Sequence, residues 1–242
     1  MTKERLLVCS FLFIMGMNFL TPAKAANQTE NTSFKIMTRD EFKNWLFNQT
    51  FSRQVGKIQL HHTWKPSYEQ FDGSNHLRML KGMENYHKSR MKWSHISQHL
   101  TIFPDGRVAL GRPFNLPPEG TFGLNNKAVM RAIEADSIAI ENIGDFDKGH
   151  DQMTREQKET IVTVTALLCI KYGLTPTVDS ITYHHWWDIK TGERVLDNGK
   201  GHAVKTCPGT GFFGGNSTTS AKNNLYPLIS KKMKEIAAKE WK

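Results

Sequence analysis

Phe42, Trp45 and Leu46 recur at helical spacing behind Thr38, and Glu41 stands three residues after that threonine. This is the capping-box pattern, and it predicts an amphipathic helix opening at Thr38. Lys57 to Leu60 alternates polar and apolar residues, which predicts a strand, and it runs directly into His61-His62. His76 to Lys88 reads as a second helix through Leu77, Leu80, Met83 and Tyr86. Ile96 to Phe103 and Arg107 to Leu110 flank Pro-Asp-Gly, the chemistry of a hairpin turn. Ser137 to Ile143 predicts another apolar strand, with Glu141 embedded in it. Thr154 and Gln157 suggest a second capping box, opening a helix to Tyr172 that is apolar on most of its surface, hence central, and that Gly173 stops. Ser180 to Tyr183 predicts a strand ending at His184-His185, Asp188 to Val204 a polar excursion, and Leu225 to Trp241 a closing amphipathic helix.

The N-terminus reads differently. Lys3 and Arg5 precede an apolar run from Leu6 to Leu20, and Pro22-Ala23-Lys24-Ala25 ends in an Ala-x-Ala pattern, which predicts a signal peptide over 1–25 and export of the rest. Cys9 stands near the start of the apolar run, not at its end, which argues against a lipidated anchor. No later stretch approaches the roughly 20 apolar residues that a membrane span needs, so no stable membrane insertion is expected. Residues 26–33 carry no core-forming side chain and read as a disordered lead. Residues 34–242 then suit one domain with a full core.

Composition adds two constraints. The formal charge of +9 falls to +7 once the leader's three cations and one carboxylate are removed, a sign that suits an anionic partner. For an exported protein that partner is wall polymer or membrane phosphate before nucleic acid. Without Cys9 only Cys169 and Cys207 remain, too few for a disulfide framework. Cys169 falls inside the apolar helix, whereas Cys207 stands in the loop-like Lys-Thr-Cys-Pro-Gly, so Cys207 is the cysteine open to chemistry.

Candidate metal ligands therefore share one setting: His61-His62 after one strand, His184-His185 after another, and Cys207 in a Pro-Gly loop. Two imidazoles and a thiolate, with a fourth position left to water, form an acceptable catalytic zinc set. Successive strand residues point to opposite faces, so only one of His61 and His62 can aim at a given ion. Spacing alone leaves the choice within each pair open, and His202, five residues before Cys207, is a rival ligand.

Six segments carry a resemblance. They are Leu-His-His-Thr-Trp at 60–64, Trp-Ser-His-Ile-Ser-Gln-His-Leu-Thr-Ile-Phe-Pro-Asp-Gly at 93–106, Gly-Arg-Pro at 111–113, Ser-Ile-Ala-Ile-Glu-Asn-Ile-Gly at 137–144, Ile-Thr-Tyr-His at 181–184 and Lys-Thr-Cys-Pro-Gly at 205–209. In that order the chain resembles the zinc-dependent N-acetylmuramoyl-L-alanine amidases, the amidase type 2 family that includes peptidoglycan recognition proteins and phage amidase lysozymes. The resemblance implies hydrolysis of the amide between N-acetylmuramic acid and L-alanine in peptidoglycan, by a monomer holding one Zn2+, and the leader makes that protein secreted, extracellular or cell-wall associated. With the strand pattern, it implies an α/β fold with a mixed central β-sheet flanked by helices on both faces.

By the same resemblance His61, His184 and Cys207 are the metal ligands. Lys205 matches a lysine that faces the developing oxyanion. Relatives of the recognition and phage types carry a tyrosine where this chain has Gln98, before His99, and glutamine cannot titrate. Other relatives place a glutamate on the strand matched here, which makes Glu141 the expected general base. Trp64, Gln98 and His99 are then expected to face substrate, and Trp186 and Trp187 either line the same groove or pack in the core. Two other classes remain: a peptidoglycan-binding module that does not cut, and a cysteine peptidase built on Cys207.

Overall fold

The structure is a computed structural model and describes residues 34–119 and 127–240. The signal peptide expected over 1–25, the lead over 26–33 and Trp241, the expected end of the closing helix, lie outside the described residues. Ile36–Met37 forms β1, and α1 follows at Arg39–Phe47. The α1 cap is the expected box, with the Thr38 hydroxyl accepting from the Glu41 backbone and the Glu41 carboxylate accepting from Thr38 N at 2.7 Å. β2 spans Lys57–His62, so both histidines belong to the strand itself. α2 covers His76–Ser89, β3 Leu100–Ile102, β4 Val108–Leu110, α3 Lys127–Glu134, β5 Ser137–Asn142, α4 Arg155–Tyr172, β6 Ile181–Tyr183 and α5 Tyr226–Glu240.

The six strands form one sheet in the order β1-β4-β3-β5-β2-β6. The first two pairings are antiparallel and the last three parallel, the mixed sheet expected. Because β3, β5, β2 and β6 run the same way, their C-terminal ends share one edge.

Alternation divides the sheet into two chemically different faces. Ile58, Leu60, Leu100, Ile102, Ile138, Ile140, Ile181 and Tyr183 enter the main core with Phe42 and Leu46 of α1, Ile161 and Leu168 of α4, and Ile229 of α5. The intervening residues, Gln59, His61, Thr101, Ala139, Glu141 and Thr182, therefore point to the opposite face. There α2 packs through Met79 and Leu80 against Ile96, Phe103, Ala109 and Ile143. Helices thus cover both faces, and the polar one is only partly closed.

One expectation needs correction and another gains detail. Gln157 does not complete a second capping box: Thr154 Oγ1 accepts from Gln157 N at 3.0 Å, but the Gln157 amide bonds to Ile102 O and Ile143 O and tethers α4 to the sheet. The polar excursion from Asp188 to Val204, which the sequence left without internal structure of its own, is organised by its first residue. Asp188 Oδ1 accepts from Lys190 N and Thr191 N, and Oδ2 from Ala203 N, which folds the segment around one carboxylate.

Candidate metal and active site

His61 ends the run of alternating residues on β2 and points to the polar face, whereas His62 points to the core side, where its Nδ1 accepts from Phe146 N at 3.0 Å. His184 follows β6 directly, in the short helical turn His184–Trp186. Cys207 arrives from a loop and is buried. The ligand atoms of His61, His184 and Cys207 all lie within 4.8 Å of one another. Neither His185 nor His202 joins them: His185 Nδ1 donates to Lys205 O at 2.6 Å, and His202 Nδ1 pairs with Asp188 Oδ2 at 3.0 Å.

The donor set fits a zinc ion. Tetrahedral zinc with Zn–S of about 2.3 Å and Zn–N of about 2.0–2.1 Å separates S and N donors by roughly 3.5 Å. Cys207 Sγ lies 3.4 Å from His61 Nδ1. On the far side of the ring His61 Nε2 donates to Gln59 Oε1 at 3.2 Å, which leaves the Nδ1 lone pair facing the cluster. Burial, with His184 and His62 nearby, holds the His61 pKa well below the usual value, so the ring is neutral. The Cys207 thiol is pushed up, by burial first and then by the Glu141 charge. An uncharged imidazole and a buried thiol that needs a cation to ionise are the properties of a ligand pair, and they argue against a cysteine nucleophile.

Glu141 pairs with His61 in the parallel β2–β5 register and with Thr101 across β3. Its Oε2 is sealed from solvent and has no hydrogen-bond partner, and burial raises its carboxyl well above the usual range. The other side of Glu141 borders a pocket of about 320 Å³ between the polar face and α2, lined also by Thr63, Lys65, Met83, Tyr86 and Gln98. A larger groove of about 880 Å³ lies between α4 and α5, floored by Val162, Phe213 and Leu228, and shares no residue with the cluster. The smaller pocket adjoins the cluster through Glu141, which faces His61 in the register, although none of the three ligand residues lines it.

The remaining expected residues divide. Gln98 reaches the pocket, its Nε2 donating to Thr101 Oγ1 at 3.0 Å. Trp64 is 59% exposed just beyond β2, with Lys65 Nζ 5.5 Å from its ring centroid. Lys205 is exposed, two residues from Cys207, and its charge only partly offsets the upward push on the thiol. His99 does not reach the pocket. It is fully buried, with Nδ1 accepting from Ala139 N at 3.0 Å and Nε2 donating to Leu116 O at 2.9 Å, which leaves no nitrogen for substrate. Trp186 and Trp187 are buried, so they belong to packing. Sequence reasoning missed Gln59, although its place two residues before His61 on an alternating strand puts it on the same face.

The family model of N-acetylmuramoyl-L-alanine amidase matches residues 51–210, and the chain belongs to that family. No curated protein matches it. Among solved structures, it is similar to a tyrosine-to-phenylalanine mutant of Drosophila PGRP-LB in complex with tracheal cytotoxin, at 16% identity and a TM-score of 0.50, over 74% of this chain and 86% of that one. The amidase LysC from Clostridium intestinale URNW is similar at 20% identity and a TM-score of 0.46, over 76% of this chain and 93% of that one.

Proposed function

We propose that this chain is a zinc-dependent N-acetylmuramoyl-L-alanine amidase acting on peptidoglycan. The observation that carries the reading is the convergence of His61, His184 and Cys207 within 4.8 Å, with the unpartnered Glu141 opposite His61 in the register. A receptor that only holds the wall needs neither feature. Zinc held by those three side chains would supply Lewis acidity to the scissile carbonyl and to water.

The protein's own groups do the rest. Glu141, its carboxylate destabilised by burial, takes a proton from the attacking water and passes it to the leaving alanine nitrogen. Lys205 places positive charge where the carbonyl oxygen becomes anionic. Gln98 and Trp64 face the glycan-peptide, the first through a fixed amide and the second through an exposed indole. The leader pattern supports export of the mature protein to the wall.

The test is to incubate the purified protein with peptidoglycan and follow new alanine amino termini, with chelator and then with zinc restored. Termini that appear, vanish and return support the amidase. Binding without cleavage would favour a recognition role, and cleavage that survives chelation would refute the metal reading.

A further inference from the structure

His61 is held by a strand ladder and His184 by the turn that ends a strand, but Cys207 stands in a loop. A metal site needs all its donors fixed to a fraction of an ångström, so something outside the sheet must place Sγ. The segment Asp145 to Lys148, which follows β5, lies against both flanks of that loop.

We infer that Asp147 is the positioning residue for Cys207, holding the cysteine loop so that Sγ meets His61 and His184. Asp147 Oδ2 accepts from Thr206 Oγ1 at 2.9 Å and Oδ1 accepts from Thr210 N at 2.9 Å. One carboxylate thus spans the residue before the cysteine and the third residue after it. Its neighbours extend the clamp: Lys148 N donates to Thr210 Oγ1 at 2.9 Å, and Gly211 N donates to Phe146 O at 2.8 Å. Phe146 N in turn donates to His62 Nδ1, whose own backbone N–H lies 3.4 Å from Cys207 Sγ. The circuit runs from β2 through the 145–148 segment to the cysteine loop and back to β2.

Asp147 is not among the groups whose ligand atoms converge, so it acts through Cys207. Partial burial pushes its carboxyl up, but the bonds from Thr210 and Thr206 and the nearby His62 outweigh this and leave it below the usual range. It therefore stays an anion with acceptors for both threonines, the form the clamp requires.

This inference rests on the reading that the cluster holds zinc, and the experiment separates the two. Zinc is titrated into metal-free full-length protein against a chromogenic chelator, and thermal unfolding of the metal-free form is recorded alongside. Asp147→Ala is expected to weaken zinc binding about tenfold or more, the usual effect of losing a partner of a ligand. Asp147→Asn keeps one acceptor for Thr210 N and presents an amide to which the Thr206 hydroxyl can turn and accept, so most of the affinity returns.

Should Asp147→Ala fail to fold, Thr206→Val removes one arm of the clamp from an exposed position, with an expected loss of roughly threefold to tenfold. Unchanged zinc affinity in these variants, or a loss matched by unfolding of the metal-free form, overturns the positioning role while leaving the amidase reading in place. If the wild type binds no zinc, both fall.

Discussion

His61 donates through Nε2 to Gln59, two residues earlier on the same strand, and so presents Nδ1 to Cys207. The strand's period of two places ligand and orienter on one face, and the hydrogen bond selects which nitrogen carries the proton. Gln59→Leu keeps the volume and removes the acceptor. We expect zinc to dissociate faster and the affinity to fall about 10- to 100-fold, measured as release into excess chelator. An unchanged release rate would show that the ring is oriented by other means.

Glu141→Gln separates proton transfer from metal binding. The amide cannot accept a proton, so the cleavage rate should drop by about 10²- to 10⁴-fold while one zinc still binds per chain. The same substitution bears on stability. Burial raises the Glu141 carboxyl, so the folded protein holds its proton to higher pH than the unfolded chain, and the metal-free wild type loses stability as pH rises above the ordinary carboxylate range. Glu141→Gln should therefore unfold at higher temperature than the wild type at pH 8, without metal. Full activity in the variant would remove Glu141 from the proposed mechanism.

His99 makes acid stability predictable. Burial holds its pKa down to about 3, so the folded ring stays neutral while the unfolded ring protonates near 6.5. Stability from this group is complete above the unfolded value and is lost as pH falls from there toward 3. Between pH 7.5 and pH 5 the loss is about 2 kcal/mol. Urea unfolding at the two pH values should show a loss about 2 kcal/mol greater in the wild type than in His99→Gln. His87, held down to about 4 by burial, adds to the same acid sensitivity. Parallel pH profiles for wild type and variant would contradict the assignment to His99.

Gly209 permits the cysteine loop to lie against Phe146. Its φ is +113°, and a Cβ there would stand 2.5 Å from the Phe146 carbonyl carbon and oxygen. Gly209→Ala must move one backbone or the other, at a cost on the order of 1–3 kcal/mol, and should lower both the metal-free unfolding midpoint and zinc affinity. A variant with wild-type values for both would mean that the loop has slack.

Much of this was legible because the signals were periodic. The alternation through β2 set His61 and His62 on opposite faces, so that only one could be a ligand, while the pairing that brings Glu141 beside His61 is visible only in the sheet. Helices with long apolar stripes or capping residues were found at close to their observed bounds. β1 was missed because two residues cannot display a period. α3 was missed although Val129, Met130 and Ile133 have helical spacing, since eight residues without a recognised cap give a weak pattern.

Side-chain to backbone bonds were the least visible. Gln157 fits a capping box by spacing but serves the sheet, and Asp188 organises a segment that composition reads only as polar. His99 was expected at the substrate because it sits in a matching motif. Its two backbone partners, Ala139 and Leu116, are 40 and 17 residues away in sequence, and no local pattern announces them.

The division of the sheet into an oily face and a reactive face has a consequence for errors of assembly. If β2 slipped by one residue against β5, every side chain on it would change sides: Leu60 would enter the pocket and His61 the core. Such a chain would lose its ligand, its orienting glutamine and two of its central aliphatic contacts together. Under the proposed amidase function, hydrolytic competence is coupled to correct strand pairing, and a mispaired molecule would be inert toward the wall instead of a poor or unselective cutter.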